Sequence, residues 1–251
     1  MPDLTILHTN DLHGKLSDAT SQRGLLRRTS RLAERIAREK STAEHCLLLD
    51  GGDAIASGNI YYRPGGEPIL ARMSELGYDA MAMGNREFHF LGQGLKSKVK
   101  LARFPILCAN LHSELELGQL VVSSVVFEIG MKVSVFGLTV PMITKRMMVS
   151  KLSPFWFEDP IQAAAKMVHE LKPKTDLLIA LTHIGLKADM ELAQSVPGID
   201  IIVGGHTHAV LDKPVVVGET SIVQAGAWGR YLGRVDVSGA RISGKLIDLT
   251  E

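Results

Sequence analysis

Thr5-Ile-Leu-His-Thr-Asn-Asp-Leu-His-Gly14 is an apolar run that ends abruptly in metal-ligand residue types. Residues 5–9 read as a buried strand, and Asn10-Asp11-Leu12-His13-Gly14 as the turn that follows it. The same order recurs four more times. Cys46–Leu49 runs into Asp50-Gly51-Gly52-Asp53, and Ala80–Met83 into Gly84-Asn85-Arg86-Glu87. Leu177–Thr182 ends in Thr182-His183, and Ile199–Val203 in Gly204-Gly205-His206-Thr207-His208. In open α/β sheets the functional crevice lies beyond the carboxyl ends of the strands. All five clusters therefore converge on one edge of an α/β fold.

The rest of the chain fits around them. Further strands are expected at Ile106–Ala109, Val121–Glu128, Lys132–Thr139, Ile222–Ala225, Gly233–Val237 and Lys245–Leu249, and helices at Ser21–Lys40, Glu67–Leu76, Ile161–Leu171 and Asp189–Ser195. The first helix gathers Leu25, Leu26, Leu32, Ala33 and Ile36 on one face and leaves Arg27, Arg31, Arg35 and Arg38 elsewhere, a solvated surface. Strand and helix alternate in the first half, which predicts parallel pairing. Residues 121–139 and 215–249 read as strand-turn-strand, which predicts antiparallel pairing. A mixed, layered α/β domain with more than one sheet satisfies both. With no internal repeat, low-complexity tract or linker, one domain over 1–251 is expected.

Composition excludes several classes. The 251 residues carry 28 Lys+Arg against 27 Asp+Glu, a net charge of +1, and are 45% hydrophobic. Those values exclude wholesale disorder. They also leave no basic excess to hold a nucleic-acid backbone. Two cysteines cannot build a disulfide framework, and Cys46 and Cys108 lie in apolar runs as buried, reduced thiols. The longest apolar stretch, 120–140, is broken by Glu128 and Lys132 and reads as a strand pair, so no membrane span is expected. The start lacks a basic segment followed by an apolar one, so no signal peptide and a cytoplasmic location are expected. The sequence leaves the oligomeric state open.

The convergent donors are Asp11, His13, Asp53, Asn85, His183, His206 and His208. Seven N and O donors exceed one tetrahedral ion and suit two ions sharing a carboxylate. Asp-x-His and His-x-His spacing puts alternate side chains of an extended segment on one side. Two divalent ions, two aspartates and a bridging hydroxide leave a net charge of about +1, which attracts a phosphate ester, activates a water and clamps the oxygens of an in-line displacement. Imidazole, carboxylate and amide ligands predict Mn, Zn, Fe or Co. Singly, each fragment is weak evidence, since Gly-Gly-Asp is an ordinary turn. The ordered set is strong.

These residues also carry a family resemblance. Residues 5–14, Gly51-Gly-Asp53, Gly84-Asn85, Thr182-His183 and Gly204-Gly-His-Thr-His208 resemble the ordered motifs of calcineurin-like metallophosphoesterases. The first block and Gln224-Ala-Gly-Ala-Trp-Gly-Arg-Tyr-Leu-Gly233 are similar to the branch of 5′-nucleotidases and 2′,3′-cyclic-nucleotide phosphodiesterases. The match runs from about residue 4 to 249. It implies a four-layer α/β/β/α sandwich of two mixed sheets flanked by helices. It also implies a two-metal site in which Asp11, His13 and His208 serve one ion, Asn85, His183 and His206 the other, and Asp53 bridges. The implied activity is phosphoester hydrolysis by a metal-bound hydroxide, as a phosphatase or cyclic phosphodiesterase on a small nucleotide-like ester. Asn85 and Arg86 would hold the phosphoryl oxygens.

Two departures qualify the resemblance. Most members of the branch continue into a second domain that grips the nucleobase, and this sequence stops after the metal domain. The family's Gly-Asn-His-Glu-Phe-Asp is here Gly84-Asn85-Arg86-Glu87-Phe88-His89, so Arg86 takes the place of the catalytic imidazole and His89 that of its carboxylate partner. Arginine cannot donate a proton to a leaving alkoxide, but it can stabilise charge on phosphoryl oxygens. Three readings stay open. Either Arg86 clamps the transition state and His89 supplies the acid, or His89 only packs beside Arg86 and good leaving groups are preferred, or the site has drifted to weak activity. The rival from another class is a metal- or phosphate-binding module acting through a protein partner. Among other residues, His8 reads as core packing, His45, His112 and His169 as surface or loop, and Trp228 as a wall of the cleft. Tyr61 and Tyr62 read as packing on the domain, and Met142, Met147 and Met148 as core.

Overall fold

The structure, a computed structural model, describes residues 2–16, 23–118 and 121–250, with 23–30 described in backbone only. In chain order its elements are β1 (Leu4–Thr9), α1 (Arg23–Thr42), β2 (Cys46–Asp50), α2 (Pro68–Glu75), β3 (Ala80–Ala82), α3 (Gly92–Val99), β4 (Ile106–Leu107), β5 (Leu111–Ser113), β6 (Val121–Val122) and β7 (Ser124–Glu128). There follow β8 (Lys132–Thr139), β9 (Phe155–Phe157), α4 (Pro160–Leu171), β10 (Leu177–His183), α5 (Leu186–Ser195), β11 (Ile201–Val203), β12 (Val215–Val217), β13 (Thr220–Val223), β14 (Tyr231–Ser238) and β15 (Arg241–Asp248).

One sheet has the order β15-β14-β1-β2-β3-β4-β6 and the other β12-β13-β11-β10-β8-β7. Each is parallel at its centre and antiparallel at an edge, as at β1–β14 and β7–β8. Three apolar cores separate four layers. Leu4, Ile6, Leu47, Leu49, Val135 and Ile179 fill the space between the sheets. On the outer face of the first sheet, Leu7, Leu48 and Met81 pack with Leu32 and Ile36 of α1 and Ile69 and Met73 of α2. On the outer face of the second, Phe136, Leu178 and Ile202 meet Ala163 and Ala164 of α4 and Leu192 of α5. The expected α/β/β/α sandwich is therefore present. A strand buried on both faces has no polar side to show, which is why β1, β2 and β10 read as unbroken apolar runs.

Several expectations need correction. Residues 121–128 do not form one strand: β6 pairs with β4 in the first sheet, and β7 pairs with β8 in the second. The chain changes sheets at Ser123, whose carbonyl accepts from the amide of Gly137 at 3.2 Å. A Cβ at Gly137 would lie 2.2 Å from the Leu107 carbonyl oxygen, so only glycine lets the two sheets approach here. Helix α3 was not expected because Gly92 and Gly94 disfavour a helix. Burial of Leu95 and Val99 against the core overrides them. Strands β5 and β9 were also missed; each is only three residues long.

Burial also differs at individual residues. Cys108 is buried and its thiol is pushed up to about 12, but Cys46 at the start of β2 is only partly buried. Met142 packs on the core, as expected, whereas Met147 and Met148 stand exposed on the connection after β8. On α1, Leu32 and Ile36 are buried, while the side chains of Leu25, Leu26 and Arg27 lie outside the described residues. No described helix is long and apolar enough to cross a membrane.

Candidate metal centre

The carboxyl ends of β1, β2 and β3 from one sheet, and of β10 and β11 from the other, meet at one edge of the sandwich. Asp11 and His13 follow β1, Asp53 follows β2 and Asn85 follows β3. His183 ends β10, and His206 and His208 follow β11. Their donor atoms face one another. His13 Nε2 lies 3.0 Å from His208 Nε2, and Asp11 Oδ1 lies 3.3 Å from His208 Nε2 and 3.7 Å from His13 Nε2. Deeper in, His183 Nε2 is 3.4 Å from Asp53 Oδ1, 3.3 Å from Asn85 Oδ1 and 3.3 Å from His206 Nδ1. The donors of Asp11, His13 and His208 fall close enough together to hold one cation, as do those of Asp11, Asp53 and His183.

The backbone is bent to bring this about. Among the described residues six non-glycine residues have positive φ, and five of them are Asp11, His13, Asp53, His206 and His208. The sixth, Trp228, donates its amide to the Asp11 carbonyl and sets its ring edge-on to His208 at 5.3 Å. Left-handed backbone is costly for such side chains and collects where function demands it. Glycines bring the two sheets within reach of each other. A Cβ on Gly51 would lie 2.6 Å from the Gly204 carbonyl oxygen, and one on Gly205 would lie 2.5 Å from that of Gly51.

Residues behind the donors fix their orientation. His183 is fully buried, and its Nδ1 lies 2.8 Å from the Gly51 carbonyl, which makes Nδ1 the donor and turns Nε2 toward Asp53 and Asn85. Burial alone would lower the pKa of this imidazole, but the hydrogen bond and charge of Asp53 raise it to about 9. The same carboxylate charge would favour a cation beside Nε2. Asn10 donates to Asp11 Oδ2 and the His206 amide donates to the same oxygen at 2.9 Å, which leaves the buried Asp11 Oδ1 without a hydrogen-bond partner. An orphaned carboxylate oxygen facing two imidazoles is the signature of a cation site. The donor chemistry thus fits borderline divalent metals.

Some contributors were not assigned a role from sequence. Glu87 is fully buried and accepts amides from Asp53, Ile55 and Gly84 at 2.8–3.1 Å, so it shapes the turn that carries Asp53. Burial first, and then the charge of Asp53, push its carboxyl up to about 7. Asp189, buried in the first turn of α5, accepts from Thr182 beside His183 and is raised to about 7 by burial. Gln224 accepts from the Ala209 amide and donates to the Gly205 carbonyl, bracketing the His206–His208 turn. Their common signal is a polar residue within or next to a motif in an otherwise apolar stretch.

The two departing positions behave differently. Arg86 lies at the mouth, its side chain about one-third exposed, with Nε 3.5 Å from Asp53 Oδ2 and Nη1 donating to the Ala56 carbonyl. Its amide donates to Asp53 Oδ1 at 2.8 Å. His89 is turned inward and is 2% exposed. Its Nδ1 accepts from the Leu91 amide, it bonds to the backbone of Ile60, and its ring meets Tyr62 and Phe90. None of these partners belongs to the donor set. His8 is buried opposite Gly233, as core packing requires, and burial holds its imidazole down to about 4.

Comparison with known proteins agrees with the geometry. The calcineurin-like phosphoesterase family model matches residues 4–210. The trifunctional nucleotide phosphoesterase protein YfkN of Bacillus subtilis is 36% identical over 277 aligned positions, covering 94% of this chain and 18% of that protein. The 5′-nucleotidase of Vibrio cholerae is 33% identical, covering 93% of this chain and 48% of its own length. The crystal structure of the 5′-nucleotidase precursor from Thermus thermophilus superposes with a TM-score of 0.77 at 29% identity, over 98% of this chain and 54% of that one. This chain therefore spans about half the length of those 5′-nucleotidases, and less of YfkN. The chain belongs to the calcineurin-like phosphoesterase family.

Proposed function

We propose that this chain is a metal-dependent phosphoester hydrolase acting on small nucleotide-like esters through two divalent ions. Asp11, His13 and His208 would hold one ion and Asn85, His183 and His206 the other, with Asp53 between them. The observation that carries this reading is the convergence of seven donors from five strand ends of two sheets, five of them on left-handed backbone. When bound, such ions supply charge for the phosphoryl oxygens and an activated water. The nucleotide preference rests on the relatives, which are named as nucleotidases and a nucleotide phosphoesterase.

The chain's own residues do the rest. Asn10, His206 and Glu87 hold the aspartates through hydrogen bonds, so the donors need not reorganise when a cation or substrate arrives. Arg86, kept beside Asp53 at the mouth, binds and orients the phosphoryl group. It supplies no proton, because guanidinium does not titrate in this range. The inward turn of His89 supports the reading in which no side chain replaces the missing acid. A general acid typically contributes about 10²–10⁴-fold, and its absence matters least for acidic leaving groups. The test is hydrolysis of bis-p-nitrophenyl phosphate and p-nitrophenyl phosphate by Mn-reconstituted protein, with Asp53→Asn as control. Turnover that vanishes in the control is expected, and the diester-to-monoester ratio assigns the substrate class. Two bound metals with no turnover of either ester would overturn the reading.

A further inference from the structure

The chain changes sheets at Ser123 and again at residues 224–230, which join β13 of the second sheet to β14 of the first. This later crossing grips the ligand-bearing turns of both sheets. Toward the first sheet, Asn10 Oδ1 accepts from the Ala225 amide at 2.7 Å and Asn10 Nδ2 donates to the Gly226 carbonyl at 2.6 Å. The Trp228 amide donates to the Asp11 carbonyl at 2.9 Å. Toward the second sheet, the Gly226 amide donates to the Ala209 carbonyl at 2.9 Å. Gln224 donates to the Gly205 carbonyl and accepts from the Thr207 hydroxyl and the Ala209 amide. Asp11 and His208 come from different sheets, and this segment is bonded to the turns of both.

His208 needs such a hold. The buried His183 is aligned by the Gly51 carbonyl at its Nδ1. Among the described residues no hydrogen bond reaches Nδ1 of His208, so contacts alone orient its ring. Its ring neighbours are His13, edge-on at 5.1 Å, and Trp228, edge-on at 5.3 Å. His13 belongs to the donor set itself, which leaves Trp228 as the neighbour free to act as a support. The indole is steadied in turn by the Arg230 guanidinium, 4.9 Å above it. Placing it there is costly. Trp228 has φ 60°, between the left-handed Gly226 and Gly229. A glycine adopts that backbone freely, whereas a bulky residue is strained in it.

We infer that Trp228 is a positioning residue for the cation group of Asp11, His13 and His208. Its amide holds the backbone of Asp11, and its ring holds the imidazole of His208 across the seam between the sheets. The affinity of this group for a divalent ion therefore depends on the indole, and that of the group around His183 does not. The inference rests on the two-ion reading and concerns one ion of the two.

Calorimetric titration with Mn²⁺ tests it, the binding class lost in His208→Ala marking the group in question. Trp228→Gly keeps the amide, relieves the backbone and removes the ring. It is expected to weaken the marked class by about 10–100-fold and to leave the other class at its wild-type affinity. Trp228→Phe restores an aromatic edge and should recover most of the loss. The chain has two tryptophans, so a Trp156→Phe background isolates the emission of Trp228. There, quenching by Co²⁺ should follow filling of the marked class and disappear with His208→Ala. Unchanged Mn²⁺ affinities in Trp228→Gly overturn the inference. So does equal weakening of both classes with a lowered denaturant midpoint, the mark of a loosened fold. A wild type that binds fewer than two Mn²⁺ ions overturns the two-ion reading, and this inference with it.

Discussion

His183 and His208 are both imidazoles that follow strands of the second sheet, and each faces an aspartate from the first. His183 is wholly buried, with Nδ1 tied to the Gly51 carbonyl and Nε2 set against Asp53 and Asn85. Its partner Asp53 is held by the turn that Glu87 pins through three amides. His208 has a side chain 35% exposed and faces Asp11 Oδ1, an oxygen without a hydrogen-bond partner, with His13 and Trp228 edge-on beside it. One half of the centre is thus fixed by the protein, and the other stays open to water. Cation affinity rises with such fixed orientation, so the buried half should load first and release last.

The tests of this asymmetry run from large effects to small. Asp53→Asn removes the carboxylate between the halves, and Mn-dependent turnover of bis-p-nitrophenyl phosphate should fall by at least about 10³-fold, beyond the 10–100-fold usual for residues behind a ligand. A residual rate within tenfold of wild type would break the reading of Asp53 as a shared ligand. His183→Ala should abolish tight metal binding by calorimetry, whereas His208→Ala should lose only the weaker class. Equal losses in the two variants would erase the distinction between the halves. Glu87→Gln loses part of its acceptor capacity to three amides, so turnover should fall by about 10–100-fold. The free energy of unfolding from denaturant titration should drop by about 1–3 kcal/mol.

Smaller effects lie at the mouth and away from the centre. Arg86→His should raise turnover of alkyl phosphates about tenfold relative to aryl phosphates, short of a full general-acid contribution because no carboxylate orients the new imidazole. An unchanged alkyl-to-aryl ratio would remove position 86 from leaving-group chemistry. His8→Phe should leave turnover untouched and serves as the reference. With a folded pKa near 4 against an unfolded value near 6.5, His8 contributes stability above pH 6.5 that is lost as pH falls toward 4. The phenylalanine variant should therefore resist unfolding at pH 5 better than wild type by about 2 kcal/mol, a gap that closes by pH 7. Denaturant midpoints at the two pH values measure it.

How far the sequence could be read depended on what each element faces. Strands β1, β2, β8 and β10 are buried on both faces, and their apolar runs were visible without any partner. The five donor clusters were visible too, because each directly follows an apolar run and together they form an ordered set, although any one alone would be an ordinary turn. Helix α3 was hidden, since Gly92 and Gly94 argue against it locally and only the burial of Leu95 and Val99 decides for it. The division of 121–128 between two sheets was hidden as well. Val-Val-Ser-Ser-Val-Val reads as continuous strand, and the break at Ser123 depends on a close approach by Gly137, more than ten residues away. At the site, ligand identities were legible and directions were not. Nothing in Arg86-Glu-Phe-His89 says that the arginine faces outward and the histidine inward. That follows from tethers to Ala56, Ile60 and Leu91.

The division of donors between the sheets bears on when a cation can be captured. Each candidate cation group draws on both sheets: Asp11 and His13 with His208, and Asp11 and Asp53 with His183. The first aspartate is synthesised near the start of the chain and its last partner nearly two hundred residues later. The group of Asp11, Asp53 and His183 needs translation past residue 183, and that of Asp11, His13 and His208 past residue 208. Both need the two sheets docked, so loading is deferred until late in synthesis. An ion that binds only the docked form then shifts the folding equilibrium by mass action. Retained metal becomes a record of completed folding, and a chelator should act on this chain as a mild denaturant.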